Sequence, residues 1–526
     1  MDEIIRAKLV GEALRQATES APDTTAYIFE DKDITFAEVD AAADRLATAF
    51  LQMGIARGQR IAVIAPNRPE WVITYFAAAR IGAVILGVSI RNSKAEILRI
   101  LAQSRARAVV CVPSHDGLDF PAICRENTKE IPTVKDIIVI APEVPDGCRS
   151  FSRLLATPGD SGAIAAAAAN LDPDDELLIL YTSGTTGRSK GAALSHRSHL
   201  ASARAQARHI RANPKDVMFM AMPLSHVGGI TCGVACMLLG RGACLLIPQF
   251  LPKEALAAAI RHQPTIMLGF PTMHTLLLME ENFSGLDTRG VRLAITGGSN
   301  ADLSIVRRIS AAYSGATIMN LYGLTETSGG LVMSPWNMSP EKVSASVGKP
   351  LNDFRVKIVD FMDNPVPREV TGEVCVKGEA VVRGYFRMPE ESLAAFDQDG
   401  WLRTGDMGYL DEEGFLILMG RKTEMYIQEG LNVFPVEVEE CIASHPEVAM
   451  VAGIGVPDPV LGEVGRYYVV PLKGEPSLDD LFDICQNNLP DYKRPSQIVI
   501  RKSLPLTASG KVNKAALRRE FEETGK

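Results

Sequence analysis

The eleven residues YTSGTTGRSKG, Tyr181 to Gly191, bring backbone freedom, hydroxyls and charge together in one short stretch. Gly184 and Gly187 let the chain turn with its amides converging, and Thr182, Ser183, Thr185, Thr186 and Ser189 add hydroxyl donors. A nest of N–H groups backed by one ammonium, Lys190, is chemistry suited to a phosphate. The pattern is not GxxxxGK[ST], because Lys190 follows Ser189 and precedes Gly191. On its own, a polar surface loop between a strand and a helix accounts for it equally well.

Other positions add to it. Gly297, Gly298, Ser299 and Asn300 form a second tight loop after the apolar run RLAIT, where open α/β sheets receive ligands. NLYGLTE (320–326) carries Asn320, Leu321, Tyr322, Gly323, Thr325 and Glu326. Asp406 lies between glycines in TGDMG, Arg421 follows Gly420, and Lys511 sits beside a glycine in ASGKVNK. Singly, these read as a core tyrosine, solvated turn carboxylates, an Arg–Asp surface pair and a solvent lysine.

The elements that must position them alternate. RIAVIA (60–65), VILGVSI, AVVCV, ACLLIPQ, TIMLG, RLAITGGS and TIMNLYG read as buried strands, separated by amphipathic helices such as PEWVITYFAAARIGA and KEALAAAIRHQ. That rhythm predicts parallel sheets covered by helices. AIAAAAAN (163–170) reads as helix or linker without chemistry. From about Gly348, short strands with Gly and Asp turns predict a β-rich subdomain, and after GRK (420–422) a compact α+β unit follows. The expected fold class is therefore α/β: a large N-terminal region of parallel α/β subdomains plus a β-rich subdomain (1–420), then a small α+β domain (421–526).

Composition narrows the classes. At 526 residues the chain is too long for one core, and a net charge of −8 gives no reason to expect nucleic acid or an anionic membrane. Nine cysteines without a CxxC pair read as reduced, buried thiols in a cytosol. The N-terminus lacks a secretory pattern, and the longest apolar stretch, VGGITCGVACMLLG from Val227, has 14 residues, too short for a span. A cytoplasmic protein is expected.

The motifs resemble those of the AMP-forming adenylating superfamily: acyl-CoA synthetases, luciferases and peptide-synthetase adenylation domains. Tyr181–Gly191 resembles its phosphate loop, NLYGLTE its adenine and acyl-adenylate motif, and GWLRTGDMG (400–408) its ribose motif. GRKTEMYIQEGLNVFPVEVE (420–439) resembles its hinge and following loop, and PLTASGKVNK (505–514) its catalytic-lysine motif. Any one is modestly specific; five in the right order are very specific.

The resemblance implies ATP, Mg²⁺ and CoA. It gives Thr182, Ser183, Gly184, Thr185, Thr186, Gly187 and Lys190 to the phosphates. Gly298, Ser299, Asn300, Asn320, Leu321, Tyr322 and Gly323 go to the nucleotide, with the Tyr322 ring against the purine. Thr325 is implied at the α-phosphate and Glu326 at Mg²⁺, which prefers oxygen ligands alongside substrate phosphates. Asp406 is implied at the ribose hydroxyls, and Arg421 at ribose or phosphate. Lys511 would bridge the carboxylate and the α-phosphate, offsetting charge that grows as two anions meet. Thr423 is implied as the hinge about which the small C-terminal domain is mobile, and Gly430 as part of the thiol tunnel; the family commonly has Asp or Lys at the hinge and two glycines where Glu429-Gly430 stands.

PLSHVGGI (223–230) corresponds to the acyl-site segment, with His226 as gate and Val227, Gly228, Gly229, Ile230, Gly297, Gly298 and Gly323 as lining. No Asp lies between Met222 and Gly233 to pair with an α-amine, which counts against an amino acid. The implied function is an AMP-forming ligase joining a hydrophobic acid (fatty, alicyclic or aryl) to CoA. Rivals are an acyl-AMP ligase serving a carrier protein, disfavoured by a chain that ends soon after Lys511, a luciferase-like oxygenation and a non-catalytic nucleotide binder. A homodimer is compatible with any of them.

Overall fold

The computed structural model describes residues 4–182, 189–299, 301–352, 354–472, 474, 476–507 and 510–524. Among these, two large sheets carry most of the N-terminal region. The first runs Lys190–Ser195, Glu176–Thr182, Val84–Gly87, Arg60–Ile64, Ala108–Cys111, Asp136–Val139, Arg149–Ser150, parallel except for its first pair. Val84–Gly87 and Ala108–Cys111 are buried at every residue, so nothing in them alternates. The covering helix Pro69–Ile81 has Pro69 in its first turn and ends on Gly82 at φ 70°. It is buried from Trp71 to Ile81, as a helix enclosed on all sides must be.

The second sheet runs Lys349–Pro350, Gly329–Met333, Thr317–Leu324, Leu293–Gly297, Ile266–Gly269, Val217–Met220, Ala243–Leu246, Thr25–Phe29, Lys32–Thr35. Its middle is parallel and both flanks are antiparallel. Thr25–Phe29 is a strand the sequence reading passed over; it pairs with Ala243–Leu246, far along the chain. The segment 163–170 lies largely in the helix Ser161–Ala168.

The β-rich subdomain is the antiparallel sheet Arg355–Val359, Gly372–Lys377, Leu402–Leu410, Leu416–Arg421. Beyond it, Val448–Asp458 and Gly462–Pro471 form a long antiparallel pair joined by Gln497–Ile500 and by Tyr426–Gln428 with Leu431–Val433. Alternate residues of that pair feed opposite faces: Tyr467 and Val469 meet Tyr426, Val438 and Leu481, while Tyr468 and Val470 meet Ile454, Leu504 and Leu517. The hydrophobic clusters change over between Leu416 and Tyr426, so the C-terminal unit has a core of its own. No helix among the described residues is long and apolar enough to cross a membrane.

Candidate active site

The site is built from strand ends. Thr182, Gly297 and Leu324 end their strands, and Phe270 directly follows Ile266–Gly269. The phosphate-type loop joins two antiparallel strands, with Thr182 opposite Lys190, rather than leading directly into a helix; the helix His196–His209 begins one strand later. Ser183, Gly184, Thr185, Thr186 and Gly187, and likewise Asn300, lie outside the described residues.

Asp406 is the buried centre of the ribose-type motif. The Tyr322 hydroxyl donates to one carboxylate oxygen at 2.7 Å, and Arg421 Nε contacts the other at 2.8 Å. Strand register makes this pair, because Asp406 lies directly across from Arg421 in the hairpin. Burial pushes the Asp406 carboxyl up, and the Arg421 guanidinium and Tyr322 hydroxyl oppose that push. A carboxylate has about four lone-pair sites, so two acceptors remain for hydroxyls of a ligand.

On the same strand as Tyr322, Asn320 is buried and its Oδ1 has no hydrogen-bond partner among the described residues. It lines a cavity of about 100 Å³ together with Ala301, Val347, Leu418 and Val436. An orphaned buried acceptor is costly unless a ligand donates to it. Thr325 begins a 3-10 turn, Thr325–Thr327, which presents Glu326; Glu326 Oε1 accepts from the Tyr385 hydroxyl at 2.8 Å. None of the sequence motifs includes Tyr385. It lies in GYFRMPEES, where no local spacing marks it, and only the fold brings it to Glu326.

Lys511 reaches in from the C-terminal unit. Its ammonium lies 5.4 Å from the centre of the Phe270 ring, and the Phe270 and His226 rings stand edge to face at 6.3 Å. The Lys511 turn is pinned by the Thr272 hydroxyl, which donates to the Gly510 carbonyl at 2.9 Å. Burial, with Arg421 nearby, pulls the Lys511 ammonium down to about 8, while Asp406 and Glu424 pull it back. His226 Nδ1 accepts from the Gly228 N–H at 3.0 Å, which leaves the ring proton on Nε2. Burial and then Lys511 lower His226 to about 3, so it is neutral.

The glycines have structural reasons. Gly298 has φ 75°, and a Cβ there would stand 2.6 Å from Phe270 and 3.1 Å from Lys511 Cε. At Gly297, Gly323 and Gly229 a Cβ would strike the backbone oxygens of Leu321, Gly329 and Pro223. Val227–Gly229 is a single turn passing at Ile230 into the wide turn Ile230–Ala235. Leu321 is buried on its strand, and Ser299 lies in the exposed bend after Gly298.

Thr423 is exposed in the turn between Arg421 and Glu424. Glu429 and Gly430, both at positive φ, close a two-residue hairpin from Gln428 to Leu431. Both turn residues are exposed, and beside them Ile427, Leu431 and Val460 are 48%, 48% and 85% exposed.

The buried Asp406 with its two partners, the orphaned Asn320 acceptor, the inserted Lys511 and the neutral His226 form the polar part of this centre. The chain belongs to the AMP-binding enzyme family: that family's model matches residues 14–386, and the AMP-binding enzyme C-terminal domain matches 437–511. It is an AMP-forming acid:CoA ligase, of a class that uses ATP and CoA. A similar protein is the 3-[(3aS,4S,7aS)-7a-methyl-1,5-dioxo-octahydro-1H-inden-4-yl]propanoyl:CoA ligase of Mycobacterium tuberculosis, 34% identical over 97% of this chain and 98% of that one. The long-chain-fatty-acid–CoA ligase FadD13 of Mycobacterium tuberculosis is 31% identical over 98% and 99%. Among solved structures, the anthranilate CoA ligase AuaEII in complex with anthranoyl-AMP superposes with a TM-score of 0.91 at 25% identity, covering 100% of this chain and 99% of that one.

Proposed function

We propose that the ligase activates an acid with an uncharged, hydrophobic tail, alicyclic or alkyl before aryl, and that the residues gathered above divide its two steps between them. The observation that carries the reading is Lys511 lodged between Phe270, Gly298 and the Asp406–Arg421 pair. In the first step a carboxylate oxygen attacks the α-phosphorus of ATP and pyrophosphate leaves. Lys511 bridges the two anions, Thr325 meets the α-phosphate, and Lys190 with the Thr182–Gly187 loop holds the departing phosphates. Asn320 Oδ1 accepts from the adenine amine, the Tyr322 ring with Leu321 and Gly323 flanks the base, and Gly298, Ser299 and Asn300 back it. Asp406 takes the ribose hydroxyls, with Arg421 beside it.

Mg²⁺ fits this donor set in one way. No cluster of three or more acidic, His or Cys side chains that could cage a metal occurs among the described residues, so Glu326 would hold it alongside phosphate oxygens. When bound, the ion would neutralise charge on the phosphates.

In the second step the CoA thiolate attacks the acyl carbon and AMP leaves. A neutral His226 with its proton on Nε2 is a donor suited to the acyl carboxyl group, and Val227, Gly228, Gly229, Ile230, Gly297 and Gly323 border the acyl chain. The exposed apolar residues beside Gly430 support a second docking of the C-terminal unit, turning about Thr423, with the boundary at 420/421. The ring-bearing propanoate of one relative and the fatty acid of another support the choice of acid. A cytoplasmic location belongs to the same reading, and a homodimer is compatible with it.

The test is thioester formation, followed by mass spectrometry, with ATP, Mg²⁺, CoA and a panel of ring-bearing propanoates, alkyl acids and aryl acids. Acyl-CoA from the first two sets supports the reading. Acyl-AMP that accumulates to one equivalent without thioester would move the acceptor to another thiol.

A further inference from the structure

Lys190 and Glu326 approach the same space from different elements, yet no ion pair joins them; Tyr385 stands between. Its hydroxyl donates to Glu326 Oε1 at 2.8 Å, and the Lys190 ammonium lies 5.1 Å from its ring centre. The segment carrying it is laced to both neighbours. Phe386 N–H donates to the Gly191 carbonyl at 2.7 Å, Tyr385 bridges to Ala192, and Val382 N–H donates to the Glu326 carbonyl at 2.9 Å. Tyr385 N–H is held in turn by the Ser392 hydroxyl at 2.8 Å.

We propose that Tyr385 is a positioning residue that keeps Lys190 and Glu326 apart and aims both at the metal-bound phosphates of ATP. The inference rests on the roles proposed above for Lys190 and Glu326. An ammonium and a carboxylate that flank one side chain would otherwise be free to pair, and each would be spent on the other rather than on the ligand. The phenol prevents that by giving each a partner of its own: the ring face attracts the cation, and the hydroxyl satisfies one carboxylate lone pair. One carboxylate oxygen stays open, with its rotamer fixed, for a hard cation.

The experiment compares the parent enzyme with Tyr385→Phe, which keeps the ring and loses the hydroxyl, and Tyr385→Leu, which loses both. ATP affinity is measured by calorimetry with and without Mg²⁺. Pyrophosphate release, and thioester formation from synthetic acyl-AMP and CoA, are followed separately. In Tyr385→Phe the gain in ATP affinity from Mg²⁺ falls on the order of tenfold, as for other groups that orient metal ligands. Pyrophosphate release slows in parallel, and the thioester step stays within about twofold of the parent. Tyr385→Leu weakens ATP binding further, even without Mg²⁺. An unchanged Mg²⁺ gain in Tyr385→Phe overturns the proposal, as does equal slowing of both steps, which marks a merely structural residue. If the parent itself releases no pyrophosphate with any acid, the functional reading fails; the calorimetric comparison still decides the role of Tyr385.

Discussion

The Lys511 ammonium lies 5.4 Å from the centre of the Phe270 ring, in space that Gly298 leaves open by having no Cβ. A cation is held here against an aromatic face, beside the buried Asp406 and the half-exposed Arg421. Burial first, and then the nearby Arg421, make its proton easier to lose.

The pH dependence follows from that. A lysine is charged below its pKa, and Lys511 sits near 8 in the free enzyme. kcat/KM for pyrophosphate release reports the free enzyme, so it holds steady below about pH 8 and falls about tenfold per pH unit above it. Bound phosphates favour the cation, so kcat holds to higher pH. His226, lowered to about 3, contributes no step between pH 5 and 8. A rate profile in 0.3-unit steps (about that spacing resolves one titration) checks both; kcat/KM flat to pH 9.5, or about that value, would contradict the Lys511 assignment.

Gly298→Ala meets two obstacles at once. The left-handed backbone costs a side chain about 1–2 kcal/mol, and the new methyl crowds Phe270 and Lys511 Cε. Pyrophosphate release is expected to fall at least about tenfold, equivalent to 1.4 kcal/mol or roughly so in the barrier, with modest loss of stability. Thermal unfolding and single-turnover kinetics separate the two effects. A variant with parent-like kinetics would show that Lys511 does not need this space.

Gly430→Leu touches neither Lys511 nor the ribose anchor. The turn is exposed and nothing lies within 4 Å of a Cβ there, so the fold tolerates the change apart from the positive φ of 79°. Adenylation is expected to stay within about twofold, because nothing in the docked site changes. Thioester formation from synthetic acyl-AMP is expected to fall by about tenfold or more if this turn lines the thiol path. Equal rates in both steps would remove Gly430 from that path.

Much of the candidate site is legible in the sequence because its parts are local. The Asp406 and Arg421 motifs, the Lys511 turn and the Thr325–Glu326 pair each sit in a few contiguous residues. The apolar runs ending at Gly297 and Leu324 announced buried strands whose ends could receive a ligand. The unread parts are long-range. Tyr385 meets Glu326 through a segment tied to Gly191, Ala192 and Glu326, all distant in the chain, and Thr25–Phe29 finds its partner more than 200 residues away at Cys244. Glu429, a departure from the family pattern, has a local explanation: with Gly430 it occupies a two-residue turn whose positions both take positive φ.

The most direct test of the account is Lys511→Ala measured in each half-reaction. Removing a preorganised cation from an anion-on-anion step costs about 3 kcal/mol, roughly 10²–10³ in rate. The account predicts that pyrophosphate release with ATP, Mg²⁺ and acid falls by that factor, while thioester formation from synthetic acyl-AMP and CoA proceeds at nearly the parent rate. Equal loss in both half-reactions, or pyrophosphate release at the parent rate, would contradict it.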